Sequence, residues 1–449
     1  MIKTIGLSFA LTFAVQPLWA AVSPAETQQL GTTLTRFGAI QDGSSDGAIP
    51  RYDANAARIS PPASYKPGSG LHPDPFPEDK ALLVITAKNM DQYADKLSEG
   101  TKLMLKKWPT FEIHVYPTRR TAWYPDWVLD RTVANAATAQ MVGDSDGVTG
   151  ANGGIPFPIP KTAAQVLWNH NLSWTPEAYF RHSPGYLVDT SGERIKLSTS
   201  DNYYEAPYYK QGQTAPFGGP YMKLFVQTRS PAQSNGRRTL IHYSTNYAEQ
   251  DQKTWVYTPG QRRVRLAPDF KYDTAVSTFG GAIFYDEVLL YSGRPDKFIW
   301  KMVGQKEMFI PANNFAYFMA NPEDVLGKRH LNPNIVRWEL QRVWEIEGTK
   351  KPDERHVYTK RNFYYDGDTW KLALTDNYDY SGDLARTGQN ICIQVYDSTD
   401  PQFASCASQV YDLKKGAYSN DNVQSLIRVT ALQPPQTTQP ATLAGQGVR

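Results

Sequence analysis

Cysteine is nearly absent: the 449 residues contain two, Cys392 and Cys406. That count excludes a disulfide-dense scaffold and a cysteine-rich zinc site. An excess of one charge is also missing, because 47 basic side chains stand against 44 acidic ones, a net charge of +3. Nucleic-acid binding wants a concentrated basic patch, and the clusters at Arg262 to Arg265 and Lys350-Lys351 are too small to supply one. The seven histidines show no zinc-protease spacing, and no internal repeat is present. No metal, cofactor or membrane span after the N-terminal segment is expected.

What is plentiful is aromatic surface. Aromatics make up 12% of the residues, with 27 Tyr and 11 Trp, which favours broad, half-buried sheets. Val336, Trp338, Leu340, Trp344 and Ile346 fall on one parity, and Arg337, Glu339, Gln341, Glu345 and Glu347 on the other. This predicts a long strand with one apolar and one wet face, since a helix would leave Trp338 and Ile346 in solvent. Segments 355–365 and 370–378, joined by Asp366-Gly367-Asp368, read as a tight hairpin that puts Phe363 on the face of Trp370, Leu372 and Leu374. Arg342 interrupts the apolar parity, and Arg361 shares the parity of Val357 and Phe363. Each is expected to pair with a carboxylate, for instance Asp376, to snorkel at the sheet edge, or to meet the polar head of a ligand.

Lys3, the apolar run Ile5 to Val15 and Pro17-Leu18-Trp19-Ala20 read as a cleavable secretory signal over residues 1–20. The mature chain is then expected in the periplasm, and it is not expected to be a lipoprotein because no cysteine lies near the cleavage point. In that oxidising compartment Cys392 and Cys406 are expected to bridge, stabilising the fold by about 3 kcal/mol in the chain-entropy model. Residues 21–170 read as extended and helical, with a helix over Asn89 to Lys107, a strand over Phe111 to Tyr116, a second helix from Pro125 and a third capped by Thr162 and Gln165.

Residues 171–432 are almost all strand, including Tyr221 to Arg229, Thr239 to Thr245, Thr254 to Thr258, Arg262 to Ala267, Phe298 to Met302 and Lys306 to Ile310. If Thr258 pairs with Gln261, Trp255 lies opposite Val264. Residues 433–449 read as a loose tail. The fold class expected is mainly β with some α: a large, curved antiparallel sheet of ten or more strands or a half-open barrel, with the N-terminal helices as a lid. Such a sheet needs a second layer, closure, or a ligand against its apolar face.

Catalytic patterns are sparse. Gly43-Ser44-Ser45-Asp46-Gly47 and Gly143-Asp144-Ser145-Asp146-Gly147 match the nucleophile-elbow spacing, but neither sits where a strand turns into a helix. Asp144 and Asp146 lack the further carboxylates of a calcium loop. No enzyme is expected.

Several stretches together resemble a family of exported bacterial proteins. They are Phe76-Pro77 to Leu97, Tyr116-Pro117-Thr118-Arg119-Arg120-Thr121-Ala122, Gly154-Ile155-Pro156-Phe157-Pro158 and Gly260-Gln261-Arg262-Arg263-Val264-Arg265 with Ala267-Pro268. Val303-Gly304-Gln305-Lys306-Glu307-Met308 and Glu339-Leu340-Gln341-Arg342-Val343-Trp344 extend the match, whereas Arg36-Phe37-Gly38-Ala39-Ile40 departs modestly. The chain is similar to domain-of-unknown-function family 1329, classed with outer-membrane lipoprotein-sorting proteins. The resemblance implies a half-open barrel like that of the Lol carriers, with an apolar concavity for acyl chains, and partnership with a resistance-nodulation-division (RND) transporter and an outer-membrane protein. It implies no agreed catalytic residues.

The expectation is therefore a periplasmic carrier or chaperone for a lipid or other hydrophobic molecule. Trp255, Trp300, Trp338, Leu340, Trp344, Phe363, Trp370 and Leu372 are its expected wall, with Arg342 and Arg361 at the mouth. A carbohydrate-binding module would instead carry Trp and Tyr on a flat, solvent-facing surface. A hydrolase would depend on Ser45 or Ser145.

Overall fold

The computed structural model describes residues 22–397 and 401–445, so the expected signal segment lies outside the described residues. In chain order the strands are β1 (Leu83–Ile85), β2 (Ile113–Val115), β3 (Gln140–Val142), β4 (Gly147–Thr149), β5 (Ala178–Val188), β6 (Arg194–Glu205), β7 (Pro220–Ser230), β8 (Arg238–Ser244) and β9 (Lys253–Thr258). They continue with β10 (Arg263–Leu266), β11 (Phe298–Pro311), β12 (Arg337–Lys350), β13 (Lys360–Asp366), β14 (Leu372–Tyr378), β15 (Leu384–Val395), β16 (Phe403–Asp412), β17 (Ala417–Asp421) and β18 (Leu426–Val429). Sixteen of them form one sheet in the order β1-β2-β12-β13-β14-β15-β16-β17-β5-β6-β7-β8-β9-β10, with β11 beside β12 and β18 beside β5. The ladder is antiparallel except where β2 meets β12, and it does not close on itself. β3 and β4 form a separate hairpin.

Among the described residues three helices of nine residues or more accompany the sheet: α1 (Glu99–Lys107), α2 (Asp126–Thr138) and α3 (Ala163–Asn171). The single helix expected over 89–107 is in fact two pieces. A 3₁₀ segment, Met90–Lys96, ends at extended Leu97, and Ser98 then caps α1 by accepting from the Thr101 N–H at 3.1 Å. The serine side chain competes for the backbone and restarts the helix there.

Both faces of the central strands are covered, which corrects the expected division into one apolar and one wet face. Arg361, Phe363, Thr375 and Asn377 share one face, while Asn362, Tyr364, Leu374 and Asp376 share the other. The supposedly wet Glu339 has no accessible surface. It accepts from Arg337, Asn313, Gln341 and the Arg119 N–H, so a polar network replaces solvent. Leu374 falls opposite Tyr364 because the ladder shifts between Tyr364 and Tyr365, so it does not share the face of Phe363. The expected tight turn is a longer loop, with Asp366 N–H bonded to Lys371 O and Trp370 at φ 59°. The β9–β10 loop is longer too. Thr258 pairs with Arg263 and Trp255 with Leu266, a slip of two that keeps Trp255 and Val264 on one face.

The tail is not loose over its described part. Leu443 is fully buried with Phe225 and Leu240, its carbonyl accepts from Arg238, and Thr438 bonds Glu205. Trp255 packs against this small outer cluster, so its face is covered by the chain's own end. Cys392 and Cys406, paired across β15 and β16, form a disulfide.

α1 docks on β14 and β15 through its first turn. Asp376, with no accessible surface, accepts from Gly100 N–H and from Thr387 at 3.0 Å, so the helix start supplies donors to a buried carboxylate. A Cβ on Gly100 would lie 2.1 Å from Thr387 Oγ1 and 2.2 Å from Asp376 Oδ1. Gly100→Ala is therefore predicted to destabilise the protein by about 1–3 kcal/mol. Equilibrium urea unfolding measures this, and an unchanged midpoint would refute the tight docking.

Candidate functional site

Residues 267–297 join β10 to β11 without a strand and cross the face that carries Arg361 and Phe363. This strap approaches closely enough that a Cβ on Gly388 would meet Leu290 Cδ2 at 2.7 Å. Leu289 and Leu290 both have left-handed backbones, at φ 58° and 68°. Two consecutive branched residues there store strain that the surrounding contacts must outweigh.

Two neighbouring carboxylates supply those contacts. Asp286 Oδ2 accepts from Arg361 at 2.6 Å and from His356 at 2.9 Å. His356 Nδ1 accepts from Tyr358 N–H at 3.0 Å, so Nε2 carries the proton given to Asp286. Glu287 accepts from Arg386 at 2.8 Å and from the Tyr358 hydroxyl. The Arg361 guanidinium lies 4.9–5.8 Å from the ring centres of Tyr291, Phe298, Tyr358 and Phe363. Burial pushes the Asp286 carboxyl up, but Arg361 and His356 outweigh it and hold it at about 2.

Beneath the strap is a cavity of about 100 Å³. β5 contributes Tyr179 and Arg181, β7 Tyr221 and Met222, β8 Tyr243, and the turn after β6 Tyr208 and Tyr209. The opposite wall is Asn390, Ser405 and Cys406 of β15 and β16, with Lys371 just before β14. His170 to Ser173 and Thr175, at and just after the end of α3, and Leu289, Tyr291 and Ser292 of the strap complete it. Strands on two sides of one cavity require the sheet to bend around it. His170 is held neutral, its pKa lowered to about 3 by burial and then by the Lys371 charge.

The expected wall residues are placed elsewhere. Trp338, Phe363, Trp370 and Leu372 have at most 1% exposure and belong to the main core with Leu340; Trp344 packs against that core and stacks on Trp370 at 6.2 Å. None of these lines the tyrosine cavity. Trp300 borders a different pocket of about 360 Å³, formed by β11, the start of α3 and the β3–β4 hairpin. Arg361 has Asp286 as its partner, not Asp376. Arg342 donates to Asp42 O at 2.6 Å and sits 3.8 Å from Glu307, away from the cavity.

Both serine patterns fall on turns. Gly143 to Gly147 spans the β3–β4 turn, where Asp146 bonds Arg294 at 2.9 Å, and Ser44 bonds Asp46 at 2.5 Å. Among the described residues no three His, Cys, Asp or Glu side chains converge as a metal site. Sequence reasoning missed Lys371, Arg181 and the cavity tyrosines. The only signal for them was a lysine between Trp370 and Leu372 in an otherwise apolar run.

Asp286→Asn is predicted to cost about 3–5 kcal/mol, because it leaves Arg361 buried without its carboxylate. With the folded carboxyl at about 2 against an ordinary 3.8, its contribution is present above roughly pH 4 and is lost as pH falls toward 2. Unfolding free energies of wild type and Asp286→Asn, measured from pH 7 downward, should therefore converge in acid. Parallel curves would refute the assignment.

The sequence pattern of a family described as "Protein of unknown function (DUF1329)" matches residues 84–448. The uncharacterized protein PA3922 of Pseudomonas aeruginosa is 34% identical over 456 residues, covering 98% of this chain and 97% of that protein. Among solved structures, a putative outer membrane lipoprotein-sorting protein domain from Vibrio parahaemolyticus is 13% identical with a TM-score of 0.43, covering 62% of this chain and 97% of that one. A DUF1329 family protein from Desulfovibrio piger is 14% identical with a TM-score of 0.42, covering 62% and 96%. The LolA superfamily protein NE2245 from Nitrosomonas europaea is 11% identical with a TM-score of 0.36, covering 63% and 100%. On the family match and the full-length relative, the chain belongs to the DUF1329 family.

Proposed function

We propose that this protein is a periplasmic carrier or chaperone that holds a lipid or other hydrophobic molecule beneath the strap, without chemistry. The observation that carries this reading is the tyrosine-walled cavity, enclosed between bent sheet and strap. Apolar burial supplies the affinity, on the order of 0.8 kcal/mol per methylene. Set against the roughly 150 Å³ that accepts a benzene ring, the cavity of about 100 Å³ admits a headgroup or a few carbons. A longer chain enters when the strap moves, and the strained Leu289-Leu290 pair favours that movement. The Cys392–Cys406 disulfide supports an oxidising compartment. The resemblance to the family is the support for service in export or outer-membrane delivery with an RND-type transporter. The tyrosine cavity replaces the tryptophan face as the proposed seat, and the pocket beside Trp300 is the alternative one.

The carbohydrate-binding reading is less well supported. It needs aromatic rings in solvent, and among the described residues Tyr380 is the only exposed aromatic side chain.

Gently purified protein is predicted to carry an extractable amphiphile, seen by native mass spectrometry and lipid extraction. After stripping, Asp286→Asn should take up a fluorescent fatty acid faster than wild type, because its strap is less firmly held. Protein that is empty as isolated and takes up neither fatty-acid nor phospholipid probes would refute the carrier.

A further inference from the structure

We propose that the tyrosine-walled cavity is an acid-binding site, in which Lys371 and Arg181 receive the carboxylate or phosphate group of the cargo. This rests on the carrier reading and names the class of molecule carried.

Neither Asp nor Glu lines the cavity, whereas Lys371 and Arg181 both do. Buried charges in proteins are ordinarily paired. This chain follows that rule elsewhere: Arg120 pairs with Asp368, Arg337 with Glu339, Arg361 with Asp286 and Arg386 with Glu287. Arg181, 2% exposed, has no ion pair among the described residues. Its Nη2 donates to Cys406 O at 2.6 Å, and its Nε is buried without a partner. Arg238 also lacks an acid, but it bonds the tail carbonyl of Leu443 away from the cavity.

Lys371 is the second unpaired cation. Its Nζ donates to Ser173 Oγ at 2.7 Å, leaving two of its three N–H donors for another acceptor. It lies deep in the molecule yet keeps some accessible surface, because its side chain borders the cavity. Burial lowers its pKa to about 8, so it remains mostly protonated at neutral pH. Asn171 Nδ2, also on the cavity wall, is a further buried donor without a partner.

The nearby acids are committed. Lys371 also borders a pocket of about 30 Å³ shared with Asp366 and Asp368. Asp368 is taken by Arg120, and Asp366 accepts from Thr369 and the Asp368 N–H of its own loop. The exception is Asp421, which does not line the cavity but lies in electrostatic range of Arg181: burial raises its pKa to about 6, so it is ionised at neutral pH and offsets part of the Arg181 charge, whereas burial alone shifts Lys371. What remains is a cavity lined by two cations and a free amide donor, with no acid among its lining residues and with tyrosine rings around them. An anion completes such a site, and a neutral lipid would leave both cations buried and unpaired.

The test is calorimetric titration of stripped, mature protein with dodecanoate and with dodecanol, which differ only at the head. Wild type is expected to bind dodecanoate about tenfold or more tightly than dodecanol, as one charge-assisted hydrogen bond implies. Lys371→Met should remove that preference while still binding dodecanol, and Lys371→Arg should retain it. Displacement of dodecanoate by inorganic phosphate would support an acid site open to free anions, and no displacement would support one for the acid head of a chain. Equal binding of the two probes by wild type overturns the acid site, whatever the folding of the variants, and leaves the carrier standing. Binding of neither probe is the failure of the carrier reading itself.

Discussion

Arg361 carries a full positive charge where the solvent cannot reach, and the course of the polypeptide around it follows from that fact. A guanidinium cannot shed its proton, so it needs a carboxylate, and the acid comes from Asp286 at 2.6 Å. Asp286 lies outside the sheet, so the chain between β10 and β11 must cross the strap face to deliver it. Glu287 then reaches Arg386, and the backbone that follows is driven through two left-handed leucines. The tyrosine cavity is enclosed because this crossing roofs it. A requirement of electrostatics thereby becomes a feature of shape.

The same rule of pairing gives meaning to its exceptions. Most of the interior charge in this fold is neutralised locally, and Glu339 shows how far the chain goes to achieve that, with donors from β12, from the loop before it and from the segment after β2. Against that background, Lys371 and Arg181, lining one cavity without an ion pair, stand out as a site for something the chain does not itself supply. The apolar interior and the charge lie side by side, which is the chemistry of an amphiphile.

How much of this was legible in the sequence depends on the range of the interaction involved. The parity of Val336 to Ile346 and the runs from Tyr221 to Ile310 identified strands correctly, because alternation is local and survives slips of two residues. It failed at Leu374, where a single bulge changes the face, and at the supposedly wet side of β12, because alternation says which residues share a face but not whether another layer covers it. Arg361 was legible as an anomaly. Its partner was not, since Asp286 lies 75 residues upstream in a stretch without periodicity. Lys371 and Arg181 carried almost no signal, being single cations among aromatics whose surroundings come from many separate parts of the chain. The tail read as loose because Pro, Gln and Thr bury little surface, yet buried Leu443 and hydrogen bonds from Arg238 and to Glu205 fasten its described part.

The sequence by itself determined the class of fold, the antiparallel pairing of neighbouring strands, the sole possible disulfide and the family. All of these rest on local patterning or on counts. Only the tertiary structure decided which aromatics became core and which came to line a cavity, and which arginines found an acid. Those outcomes depend on where the strap, the tail and the N-terminal segment settle on the sheet, and burial and charge pairing across long sequence separations are settled by packing alone.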